Sequence, residues 1–316
     1  MNKAPLLAVA LVFTAGPALA QKRLSIATGG TGGVYYPLGG GLANVLSKSI
    51  PGVEAAAEVT GGSVDNLKLI GAKKADIALV LGDSAADAFN GTGKFKGKVP
   101  VRTIAVIYAN KSQWVTVQGS GVNKMQDLKG RHIATGAPGS GTEVIALRML
   151  EAYGFNPDKD MQREKLSVAE SVNALKDRKI DAFFWSGGLP TAAVTDLAAT
   201  PGSKIKLLDH TDIIPALVKK YGPLYMEGVI PANTYPGQDK DVHVADVWNL
   251  IVVHEKMDEK LVYDIVKTIF EKKQELVAVH AEAKNIDLSR QRSGNSPIPF
   301  HPGAMRYFRE KGVTTN

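Results

Sequence analysis

Five clusters of small residues carry the chemistry this sequence can do. Gly29-Gly30-Thr31-Gly32-Gly33, Gly61-Gly62-Ser63, Gly82-Asp83-Ser84, Gly136 through Gly141, and Ser186-Gly187-Gly188 each follow a short β-rich run and precede a helix-like segment. Such loops bring backbone N–H groups and positive helix ends to the carboxyl edge of a sheet, a site for a carboxylate or phosphate without an obligatory Arg. One glycine cluster alone is only a tight turn. Five in one chain point to a ligand cleft. Candidate ligand contacts are Thr28, Gly29, Thr31, Gly32, Gly33 and Val34 in the first loop, and Gly62 and Ser63 in the second. Ser84, Ser140, Gly141, Thr142, Ser186 and Gly187 supply the others. Tyr35 and Tyr36 offer an aromatic wall and a hydroxyl. Trp185 reads equally as core or as pocket lining, and Asp83 as an ammonium partner or a helix cap.

Other chemistries lack their spacing. Gly30-Thr31-Gly32-Gly33-Val34-Tyr35 misses the third Gly of a dinucleotide loop, and no Lys-Ser/Thr pair makes it a Walker A loop. Gly91 through Lys98 reads as a basic turn. His254-Glu255-Lys256-Met257-Asp258 lacks the second His of a zinc protease helix, and His280-Ala281-Glu282 lacks the Cys pair of a zinc deaminase. Pro138-Gly139-Ser140-Gly141-Thr142 is not a nucleophile elbow, because Pro138 and Thr142 hold the flanking Gly positions. Ser140 reads as a helix cap, with Ser140-Gly141-Thr142-Glu143 as a capping box. No cofactor or metal is expected.

Those loops must be held by a sizeable scaffold. The chain has 316 residues, 44 % of them hydrophobic and 22 % charged, which fits two globular domains rather than a disordered or multispanning chain. Cysteine is absent, so the core stands without disulfides and no thiol chemistry is available. Lys3, the apolar run Leu6 to Phe13 and the small-x-small triplet Ala18-Leu19-Ala20 follow in the order of a secretory signal peptide. Residues 1–20 are expected to be removed, placing the mature chain in the periplasm. That chain has 37 basic and 31 acidic residues, a net charge of +6, which suits anionic ligands or an anionic surface. No Lys/Arg block interleaved with aromatics suggests nucleic acid.

The elements repeat. Ile26-Ala27-Thr28-Gly29 recurs as Ile133-Ala134-Thr135-Gly136 at an offset of 107, and Ser63-Val64-Asp65-Asn66-Leu67-Lys68 resembles Ser171-Val172-Asn173-Ala174-Leu175-Lys176 at 108. The β-run, small cluster and amphipathic segment read as βα units in two similar lobes. Thr103 to Tyr108 and Trp114 to Gln118 are β-like and lie between the copies. Tyr225 to Pro236 and Leu250 to Val253 follow them. The expected organisation is a signal peptide at 1–20, lobe 1 from 21–115 plus 225–316, and lobe 2 from 116–224. The fold class is α/β with a ligand cleft between lobes. Lys256 to Lys284 reads as a long charged amphipathic helix or a pair.

The ordered segments Ala27 to Pro37, Thr60 to Val64, Gly136 to Glu143, Phe183-Phe184 with Gly187-Gly188-Leu189-Pro190, Ile230 to Gln238 and His301-Pro302-Gly303-Ala304 resemble the TAXI family of extracytoplasmic solute receptors of TRAP transporters. The likeness spans essentially the whole mature chain. It implies a two-lobe, type II-like periplasmic binding protein that closes on a small organic acid or amino acid and hands it to an ion-coupled permease, without catalysis. In similar receptors the ligand, often glutamate or a dicarboxylate such as 2-oxoglutarate, touches the loops matched here by Thr31 to Tyr36, Ser63, Ser140 to Thr142 and Gly187. The chain departs from the family after Ile77 to Val80, where Gln-Asn/Ser-Asp and an aromatic pair are common. Leu81-Gly82-Asp83 and Ala86-Asp87 stand there instead, which implies a bulkier or more apolar acid.

The expected partners are the small carboxylate or amino-acid ligand and TRAP-type permease subunits, with the chain a monomer. Two other readings remain open at this stage. An exported enzyme on the same fold would need a general base, for which Asp83 and Glu143 are the candidates. A receptor signalling to a membrane sensor shares every sequence feature.

Overall fold

A computed structural model describes residues 21–315, so the expected signal peptide lies outside the described residues. The first half runs β1 (Lys22–Ala27), α1 (Tyr35–Ser49), β2 (Val53–Glu58), α2 (Ser63–Gly71), β3 (Ile77–Leu81) and α3 (Gly82–Asn90). A long strand, β4 (Val101–Val117), leads to the second half: β5 (His132–Ala134), α4 (Gly141–Ala152), β6 (Gln162–Glu164), α5 (Val168–Lys176), β7 (Ala182–Gly187), α6 (Ala192–Ala199) and β8 (Ile205–Leu207). Then follow α7 (Ile214–Tyr221), β9 (Met226–Ile230), a second long strand β10 (Val242–His254), α8 (Glu259–Glu271), α9 (Lys273–Val279) and α10 (Pro302–Glu310).

The internal repeat is also a repeat of topology. The sheet order is β2-β1-β3-β10-β4-β7-β5-β6, with β8 on β4 and β9 on β10. β1 lies parallel between β2 and β3, and β5 lies parallel between β6 and β7. The recurring tetrapeptides thus occupy the central strand of each triplet, with Ile26 and Ile133 both fully buried. Helices cover both faces, so β3 reads Ile-Ala-Leu-Val-Leu with every residue buried, the continuous apolar run of a parallel-sheet core strand.

β4 and β10 join the halves. Expected as two separate runs, 103–108 and 114–118, β4 is one strand of 17 residues. Its polar middle stays extended because Asn110 and Lys111 pair with Val247 and Asp246 of β10, and Ser112 and Gln113 with Ser186 and Trp185 of β7. Register shifts interrupt β10 between Trp248 and Leu250 and between Ile251 and Val252, where bulges bend a strand.

The hydrophobic clusters correct one expected boundary. Most buried apolar residues up to Tyr108 share the first core with those from Leu250 to Phe308, whereas Leu81 and Trp114 pack in the second. Tyr225, Ile230, Tyr235 and Val242 to Val247 also pack in the second half, because β9 pairs with the front of β10. The chain returns to the first half within β10, between Val247 and Leu250, and not at residue 225.

The 256–284 segment forms a pair of helices broken at Lys272. Leu261, Val262, Ile265, Val266 and Ile269 make the buried stripe of α8 at helical spacing. Gly303 lets α10 meet α8 directly, since a Cβ there would strike the Glu259 carbonyl and come within 3.0 Å of the Tyr263 nitrogen.

Candidate functional site

Between the halves, at the carboxyl ends of β1, β3 and β7, lies a cavity of about 90 Å³. On a scale where about 10–15 Å³ holds one water, that is room for roughly six to nine waters, or a solute of short-acid size. The first half contributes Gly29, Gly30, Gly33, Val34, Tyr35, Thr60 to Ser63 and Leu81. The second contributes Ala137, Ser140 to Thr142, Ser167, Val168 and Trp185 to Gly187. Tyr108 and Asn110 enter from β4.

Four helix N-termini meet there, α1 and α2 from one half and α4 and α5 from the other. The first N–H groups of a helix have no intrahelical acceptor, and its dipole places partial positive charge at the same end. Ser140 caps α4, its Oγ accepting from the Glu143 nitrogen at 3.0 Å and donating to the Ala137 carbonyl at 2.6 Å. Its one O–H is committed to the loop and cannot donate to an anion, so α4 offers the cavity its Gly141 and Thr142 N–H groups instead. The second half of the expected capping box does not form. The Glu143 carboxylate turns to Arg163 at 3.3 Å and Lys165 at 3.5 Å. α5 carries the full box, Ser167 with Glu170.

Two reciprocal contacts close the halves over the cavity. The Val64 and Asp65 N–H groups of α2 both donate to the Gly139 carbonyl of the opposite half at 3.1 Å. The Ala193 N–H of α6 donates to the Gly32 carbonyl at 3.4 Å. Each half thus sets the loop after its central strand on helix N-termini of the other. Gly139 has φ +77 and would drive a Cβ into the Asp65 carboxylate, so glycine alone suits this seam. A Cβ on Gly33 would lie 2.9 Å from the Trp185 ring.

Asn66 braces the loops from beneath. Its Nδ2 donates to the carbonyls of Thr28 at 2.7 Å and Leu79 at 2.8 Å, and reaches that of Ala27 at 3.3 Å. Ser63 Oγ accepts from the Leu81 nitrogen at 3.0 Å, which leaves its O–H to donate. The Tyr35 hydroxyl donates to Asn249 Oδ1, and Asn249 Nδ2 donates to the Tyr108 carbonyl at 3.2 Å. Burial pushes the Tyr35 and Tyr108 phenols above their ordinary range, so both stay neutral. None of the described residues lining the cavity carries a formal charge.

Of the sequence candidates, Gly29, Gly33, Val34, Tyr35, Gly62, Ser63, Ser140, Gly141, Thr142, Trp185, Ser186 and Gly187 line the cavity. Six do not. Thr28 is fully buried beneath it, donating to the Glu58 carbonyl at 2.6 Å. Thr31 and Tyr36 are exposed to solvent, and Gly32 packs close to Ala169 and Ala193 in the seam. Asp83 and Ser84 are buried elsewhere: the Asp83 carboxylate accepts from Tyr225 at 2.8 Å and from the Ser84 nitrogen at 2.7 Å, and faces Arg148 at 3.4 Å. Asp83 is therefore neither an ammonium partner nor a free base, and Glu143 is likewise held in ion pairs away from the lining.

Nine further lining residues are not among the sequence candidates: Gly30, Thr60, Gly61 and Ala137 in the loops already singled out or beside them, and Leu81, Tyr108, Asn110, Ser167 and Val168 elsewhere. Leu81 is the last residue of β3 and reaches the cavity from there. Ser167 was findable from its Ser-x-x-Glu capping spacing. Among the described residues no cluster of three or more His, Asp or Glu side chains is placed to hold a metal ion. No described helix is long and apolar enough to cross a membrane.

This architecture is that of the two-lobe binding proteins. The chain is similar to the ligand-binding component of an ABC-type import system from Staphylococcus aureus with zinc bound, at 13 % identity over 93 % of this chain and 94 % of that one, TM-score 0.52. It is also similar to a putative L-cystine ABC transporter from Listeria monocytogenes, at 14 % identity over 84 % and 96 %, TM-score 0.51. An ancestral arginine-binding protein bound to arginine matches at 14 % identity over 83 % and 98 %, TM-score 0.50. At these identities the likeness is one of fold. By sequence the chain belongs to the NMT1-like family, which it matches over residues 26–312.

Proposed function

We propose that this chain is an extracytoplasmic solute receptor that binds a small organic acid between its lobes and delivers it to a membrane permease of the ion-coupled TRAP type. The observation that carries this reading is the convergence of four helix N-termini, two from each half, on one small cavity whose described lining has no charged side chain. Such a site attracts an anion through N–H groups and dipoles, and bringing the halves together completes it. The glycine seam gives a reason for hinge closure to be tight. The TRAP assignment and the export to the periplasm rest on the TAXI resemblance and on the leader-like residues 1–20.

The same resemblance implies glutamate or a dicarboxylate. With no acidic side chain in the described lining to pair with an ammonium group, this reading keeps the acid and leaves the amine aside. Thermal melts of residues 21–316 against a panel of small organic acids test it. At least one acid should raise the melting temperature in a concentration-dependent way, because it binds the folded state alone. An unmoved melting temperature across mono-, di- and hydroxyacids at millimolar concentration would overturn it.

A further inference from the structure

Two buried polar atoms at the cavity have no hydrogen-bond partner, the Tyr108 hydroxyl and Asn110 Oδ1. The residues lie two apart on β4, and a strand turns positions i and i+2 to the same face. They are 0 % and 1 % exposed, so bulk water does not satisfy them, and a buried polar group left unpaired is costly. One N–H of the Asn110 amide donates to Ser186 Oγ at 3.0 Å, and the amide oxygen is left over as an acceptor. Gly188 packs against the Tyr108 ring, since a Cβ there would come within 2.9 Å of it.

The two halves of the lining ask for different groups. The helix N-termini ask for a carboxylate. An ammonium group on the same solute would find neutral acceptors alone, with no carboxylate in the described lining to offset its charge against the positive helix ends. Tyr108 offers a donor and Asn110 an acceptor, a pair that one hydroxyl satisfies by accepting from the first and donating to the second. We propose that the cleft selects a small hydroxycarboxylic acid and rejects the amino acid of the same skeleton, an inference that rests on the receptor reading above.

Matched triplets test it by calorimetric titration: lactate, propionate and alanine; 3-hydroxybutyrate, butyrate and 3-aminobutyrate; malate, succinate and aspartate. In the best-binding triplet the hydroxyacid should bind at least about tenfold more tightly than the parent acid, roughly the net worth of its two buried hydrogen bonds. The amino acid should give no measurable heat. Tyr108→Phe removes an unpartnered hydroxyl and leaves the packing, so it should lower hydroxyacid affinity several-fold towards that of the parent acid while leaving the parent's nearly as it was. Asn110→Leu should do the same, as a second check if the first variant melts early. An amino acid binding as tightly as its hydroxy counterpart, or both variants weakening hydroxy and parent acids equally, overturns the inference and leaves the receptor standing. No heat from any acid in any triplet overturns the receptor reading as well.

Discussion

Arg148 on α4 sets its guanidinium against Asp83 on α3, Nη1 to Oδ2 at 3.4 Å, and so ties the second half of the chain to the first. Nη2 reaches Asp87 at 2.6 Å, the Tyr225 hydroxyl donates to Asp83 at 2.8 Å, and the Tyr221 ring stacks 4.2 Å from the guanidinium carbon. Burial raises the Asp83 pKa, with Arg148 acting against that shift. Removing one partner of a buried pair costs about 3–5 kcal/mol. Arg148→Leu should therefore lower stability by about that amount at pH 8. The raised carboxyl then takes a proton as pH falls, so the deficit should shrink towards pH 4. Urea melts at both pH values check this, and a deficit that does not change with pH would contradict it.

Asn66→Ala should destabilise the fold by about 3 kcal/mol, because one amide serves the carbonyls of Ala27, Thr28 and Leu79 and all are buried. Hydrogen exchange should quicken first in the loops after β1 and β3. A loss below about 1 kcal/mol would mean that water replaces the amide.

Gly139→Ala separates closure from folding. The left-handed backbone costs roughly 1–2 kcal/mol with any side chain, and the new methyl meets the Asp65 carboxylate across the seam. Acid affinity should fall about tenfold or more, since the α2 N-terminus then loses its docking carbonyl. Small-angle scattering with saturating acid should report a more open chain than wild type. Unchanged affinity would remove the seam from the account.

His210 gives the stability a pH dependence of its own. Its Nδ1 lies 2.8 Å from the Leu208 carbonyl, Nε2 is buried without a partner, and burial lowers its pKa to about 4, with Asp209 and Asp212 opposing. A folded pKa below the unfolded value of about 6.5 means that the unfolded chain binds protons more readily. This part of the stability is complete above pH 6.5 and is lost as pH falls towards 4, amounting to roughly 2 kcal/mol between pH 7 and 5. His210→Gln should flatten that limb of the melting-temperature curve. An unaltered limb would assign it to other groups.

How much of this the sequence disclosed depends on whether the contacts were local. Ile26 to Gly29 and Ile133 to Gly136 repeat within a short window, and both mark the central strand of a parallel triplet. The small residues after those strands line the cavity because the strand-to-helix turn places them there. Asp83 looked available because its partner, Arg148, stands 65 residues away. Tyr108 ends the first β-like run with nothing in the sequence to aim it at the cleft, and Asn110 lies in the polar stretch after it, which reads as a break although pairing with β10 and β7 keeps it extended. The same pairing hides the return point, since β9 and the front of β10 look like ordinary strands until they are seen on the second core.

The most direct test of the central claim is calorimetric titration of ligand-stripped residues 21–316 with small organic acids from pH 6 to 8.5, where such acids stay ionised. Tyr35 and Tyr108 are the titratable residues in the described lining, and both are held neutral above this range. The account predicts one acid per chain and an affinity that is flat with pH. No saturable heat from any acid, or an affinity that changes tenfold across this range, would contradict it.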